Sequence, residues 1–105
     1  MQTIIIILDP EKMDNPDLDI RYDLPDRIEE YTNGQAKDNG FGYLPDDRMA
    51  IWLDTEDYAK NVESVIELIS SESILDNDLS KAAEIYVSDQ DCAELDQCRK
   101  VFPAE

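Results

Sequence analysis

The residues in this chain that could do chemistry are mostly carboxylates. Twenty-six of the 105 residues are Asp or Glu, nine are Lys or Arg, and histidine is absent. Absence of histidine removes the commonest general base, the usual serine and cysteine triads and most zinc sites together. Two carboxylates can share acid and base roles in hydrolysis, but among so many acids no pair is singled out. The three glycines build no phosphate-cradling loop. Asp14-Asn15-Pro16-Asp17-Leu18-Asp19 and Asp76-Asn77-Asp78 bunch hard oxygen ligands. A calcium loop of the EF-hand kind needs glycine at its sixth position and glutamate at its twelfth, and neither segment has that glycine. The expectation is therefore no catalytic residue, no metal site and no cofactor. Cys92 and Cys98 have five residues between them, not the two of a redox motif. They read as two reduced thiols, with a bridge across a hairpin as the alternative.

What such residues can do is bind. A net charge of −17 is several times what solubility requires, and the folded state works against its own repulsion. It favours a basic protein, another polycation or a metal ion as partner and disfavours nucleic acid and anionic membranes. Aromatics interrupt the acid: Tyr22 between Asp19 and Asp23, Phe41 and Tyr43 after Asp38-Asn39-Gly40, Tyr86 before Asp89. In an interface of this kind, charge steers the encounter and a buried ring holds the docked complex. The expected partner-binding residues are Asp14, Asp17, Asp19, Asp23, Phe41, Tyr43, Asp46 and Asp47. Tyr22 and Tyr86 read as half-buried core residues.

The elements that must position these residues follow from apolar periodicity. Ile4-Ile5-Ile6-Ile7-Leu8 and Met49-Ala50-Ile51-Trp52-Leu53 are continuous apolar runs, which only strands buried on both faces tolerate, so the two should be inner neighbours. Asp9-Pro10 ends the first. Leu24, Ile28 and Tyr31 predict a helix over about 23–32, or one begun earlier, with Asp23 as cap, Pro25 in the first turn and Asn33-Gly34 as the stop. Asp38-Asn39-Gly40 predicts a hairpin between short strands at 34–38 and 41–44, at a sheet edge. Tyr58, Val62, Val65, Ile66 and Ile69 predict a second helix, capped by Asp54-Thr55, with Lys60, Asn61 and Glu63 on its outer face. Strands follow at 82–87 and around 97–102.

A chain of 105 residues makes one domain, 1–105. Its class is α+β, and the order β-α-β-β-α-β predicts a split β-α-β (ferredoxin-like) sandwich with a C-terminal strand extension. With both helices on one face, the second face of the central strands needs another cover: the C-terminal segment, the 35–44 hairpin or a partner.

The N-terminus has no basic region ahead of an apolar core of signal-peptide length, and no stretch approaches the roughly 20 apolar residues of a membrane span, so a cytoplasmic location is expected. Ile4–Leu8 with Asp9-Pro10, Asn15-Pro16-Asp17-Leu18-Asp19-Ile20-Arg21-Tyr22, Leu24-Pro25-Asp26 and Asn39-Gly40-Phe41-Gly42-Tyr43 resemble the small acidic bacterial immunity proteins of contact-dependent growth inhibition and related polymorphic toxin systems. The resemblance covers about the first half of the chain. It implies a cytoplasmic inhibitor, not an enzyme, that covers the active site of a basic toxin domain, commonly a nuclease, with carboxylates standing in for phosphates. A different class of binder, a nucleic-acid mimic or regulatory subunit of an endogenous basic protein, is the alternative.

Overall fold

A computed structural model describes residues 1–103. The chain forms strand β1 (Gln2–Leu8), helix α1 (Ile20–Tyr31), strands β2 (Ala36–Tyr43) and β3 (Met49–Thr55), helix α2 (Tyr58–Ser71) and strands β4 (Ala83–Ser88) and β5 (Arg99–Phe102). It is a mixed α+β fold with one five-stranded sheet in the order β2-β3-β1-β4-β5 and every neighbouring pair antiparallel. The two apolar runs are inner neighbours, as their composition requires, with Ile4 opposite Leu53 and Leu8 opposite Met49. No helix among the described residues is long and apolar enough to cross a membrane.

Strand alternation sends Ile4, Ile6 and Leu8 to one face, where they pack with Ile20, Leu24 and Ile28 of α1 and Val65, Leu68 and Ile69 of α2. Each such side chain contributes about 1.5–3 kcal/mol when fully withdrawn from water. Ile5, Ile7 and Ala50 face the other way and are equally buried. Two of the three covers the sequence left open contribute: the C-terminal segment and, through Leu44, the end of the 35–44 segment. Leu95 and Cys98 pack on this second cluster with Trp52 and Tyr86. The Thr3 hydroxyl donates to the Gln90 carbonyl at 2.8 Å and accepts the Ala93 N–H at 3.2 Å, pinning residues 89–98 as a strap. Cys92 lies within it and Cys98 at its end, both as free thiols.

Four local expectations need correction. Asp38-Asn39-Gly40 does not reverse the chain: β2 runs through it as one strand whose register against β3 slips between Asp38 and Phe41. Asp38 Oδ1 accepts the Gly40 N–H, Asn39 Nδ2 reaches Asp54, and Gly40 takes φ +128°. The permissive residues thus absorb one extra residue as a bulge. The reversal comes at Leu44–Arg48, where Leu44 N–H meets the Arg48 carbonyl at 2.8 Å and Asp47 adopts φ +70°.

Helix α1 begins three residues before the predicted start, so Pro25 is interior and Asp23 lies in the first turn instead of capping. The Asp19 N–H is held by Asp17 Oδ1 at 2.9 Å. Asp54-Thr55 does not cap α2, because its backbone is committed to the ladder of β3. Asp57 caps instead, accepting the Lys60 N–H at 3.2 Å. Asn61 is not on the outer face but buried, its amide donating to Thr55 Oγ1 at 2.7 Å, a bond that offsets the cost of removing an amide from water.

Candidate functional site

Antiparallel pairing decides which loops meet. Leu8 sits opposite both Met49 and Ala83, and Tyr43 opposite Met49. The segment leaving β1, the β2–β3 turn and the approach to β4 therefore emerge at one end of the sheet. Asp14, Asp17 and Asp19 lead into α1 at this end, Asp23 lies in its first turn, and Asp46 and Asp47 lie in the β2–β3 turn. Asp9, Glu11, Asp76 and Asp78 add to the same pole, and Asp9 and Glu11 share one shallow depression with Asp46, Asp47 and Arg48.

The six predicted carboxylates differ in how free they are. Asp14 takes Lys81 Nζ at 3.0 Å on both oxygens, Asp17 holds the start of α1, and Asp46 receives the Arg48 N–H at 3.2 Å and Nε at 2.9 Å. Those bonds, the backbone one foremost, hold the Asp46 carboxyl below its usual range. Asp19, Asp23 and Asp47 are exposed, and their carboxylates accept no hydrogen bond from the described residues.

The predicted aromatics lie on the edge strand next to α1. Phe41 and Tyr43 meet edge to face, ring centres 5.3 Å apart. Phe41 packs partly on the helix-face core, whereas Tyr43 is 54% exposed. Tyr22, expected to be half-buried, is also 54% exposed, and Leu18 is 52% exposed. The reason for Tyr22 is helical phase: α1 turns Ile20, Leu24 and Ile28 inward, which sends residue 22 outward, while Leu18 lies in the turn before the helix. Tyr86 is half-buried as expected.

Sequence reasoning did not single out Arg21. Its guanidinium carbon lies 4.6 Å from the Tyr22 ring centre and 5.7 Å from that of Phe41, so the cation joins helix to edge strand. The only signal for it was a base next to an aromatic inside an acidic run, which reads equally well as an ordinary solvated helix face.

A second polar cluster is structural. Glu84 accepts Arg48 Nη1 at 3.2 Å and the Tyr86 hydroxyl at 3.1 Å, and lies 3.6 Å from Lys100 Nζ. Partial burial pushes this carboxyl up, but Tyr86, Lys100 and Arg48 together leave it below its usual range. The cluster clamps the β2–β3 turn, β4 and β5. Among the described residues, no three acid or cysteine side chains converge as a metal-ligating group.

Comparison with known families, curated proteins and solved structures found no match to this chain.

Proposed function

We propose that this protein is an immunity-type inhibitor that binds a basic toxin domain, of the nuclease class, in the cytoplasm and covers its active site. The observation that carries the reading is the pole where unpaired Asp19, Asp23 and Asp47 adjoin the exposed rings of Tyr22 and Tyr43. Carboxylates arrayed this way occupy a surface built for phosphates, and they speed the encounter with a cationic site. The rings supply the desolvated anchors that set the lifetime of the complex. No residue is assigned a catalytic role.

We infer further that β1 to β4 and the two helices are a split β-α-β (ferredoxin-like) unit extended by β5. The order β2-β3-β1-β4 with antiparallel neighbours supports this reading.

Co-expression tests the function. Cells producing the C-terminal domain encoded by the gene beside this one should survive only when this chain is present. Death with and without it, or a neighbouring gene that encodes no toxin, overturns the immunity reading in favour of an endogenous basic partner.

A further inference from the structure

We propose that Arg21 is a receptor for a carboxylate of the partner, set into the aromatic patch of Tyr22, Phe41 and Tyr43. The assignment deepens the reading above and rests on it for the basic character of the partner's surrounding surface.

Arginine pairing in this chain is uneven. Arg27 is held by Glu72 and Glu30, Arg48 by Asp46 and Glu84, and Arg99 by the Tyr58 hydroxyl. Arg21 alone among the arginines has no hydrogen-bond or ion-pair partner among the described residues, and its Nε is shut off from solvent without an acceptor. Acid is not scarce: Asp19 and Asp23 are each two residues away in sequence, yet neither comes within ion-pairing distance. Pro25 has no N–H to give the Arg21 carbonyl, so the helix is incomplete at the same residue.

Stacking on the rings fixes the plane of the guanidinium, so little freedom is lost when it is met by a carboxylate fork. The Nη groups have no partner among the described residues either and, unlike Nε, are not shut off from solvent, so an incoming carboxylate meets donors that give up no bond within the chain. The patch borders β2, an outer strand of the sheet, so an approaching surface meets no further strand. Free Asp19, Asp23 and Asp47 belong to the same pole. The chemistry that fits is an acidic side chain or terminal carboxylate ringed by lysines and arginines.

Two blocked lysine-rich heptapeptides, differing only in a central Glu or Gln, test this by amide and arginine Nε–H NMR titration at low salt. The Gln peptide carries one more net positive charge, so the field of the whole chain favours it; a preference for Glu isolates Arg21. We expect the Glu peptide to bind about fivefold tighter, with shifts centred on Arg21, Tyr22, Phe41 and Tyr43. R21M should abolish the preference, R21K should narrow it, and Y43A should weaken both peptides while preserving it. Should R21M fail to fold, R21K decides, because a point charge cannot reproduce the stacked fork. Equal affinity for the two peptides, or a preference that is undiminished in the Arg21 variants, overturns the assignment and leaves the basic-partner reading standing. Failure of both peptides to bind overturns the two together.

Discussion

Trp52 donates its indole N–H to the carbonyl of Ala93 at 3.1 Å, tying the strap to the second face of the sheet. The bond joins β3 to a segment 41 residues further along the chain, and Ala93 is itself buried. W52F keeps a ring but leaves that carbonyl without its donor, which should cost about 2 kcal/mol. Amide exchange over residues 89–98 should accelerate more than exchange in the α1–β1 core. Uniform acceleration would mean that the strap is not a separable unit.

Glu84 gives stability a defined acid limit. Its folded pKa is depressed, so its contribution is complete above the unfolded pKa of about 4.3 and is lost as pH falls through the folded value. E84Q should cost about 1 kcal/mol at neutral pH and should flatten the loss of stability below about pH 4. Denaturant melts at several pH values check this, and parallel curves for the two proteins would contradict it.

Self-repulsion at −17 predicts the response of the free protein to salt. At about 0.5 M the screening length is near 4 Å, so like charges on different loops cease to oppose folding. The thermal midpoint should rise with monovalent salt, and a steady fall would contradict this view of the surface.

Phe41 and Tyr43 should separate in mutagenesis, although the sequence groups them. Phe41 is partly built into the core, so F41A should destabilise the fold by about 2 kcal/mol, while Y43A should change stability by less than about 0.5 kcal/mol and act on partner dissociation. Of the turn acids, D47N removes an unengaged charge and should only slow association. D46N also releases Arg48 and should lower stability as well. A Y43A variant that unfolds more readily than F41A would reverse this assignment.

The two inner strands and their adjacency were legible because Ile4–Leu8 and Met49–Leu53 permit only a doubly buried position. The Asn39-Gly40 signal misled because positive φ serves a bulge as well as a turn, and only pairing with β3 decides which. Asn61 looked like a surface residue because nothing local announces that the Thr55 hydroxyl lies within its reach. Asp14 to Asp23 and Asp46-Asp47 were legible as acidic segments, but their gathering at one pole follows from antiparallel register. Arg21 was not legible because its distinguishing property, a missing partner, exists only in three dimensions.

The central claim is a steered encounter between the acidic pole and a basic domain. The measurement that tests it most directly is stopped-flow binding of the purified chain to the C-terminal domain encoded by the neighbouring gene, between 0.05 and 0.5 M salt. The association rate should fall by about tenfold or more while the dissociation rate changes little, since steering acts on the encounter and the docked rings set residence. Absence of binding, or an association rate indifferent to salt, would contradict the account.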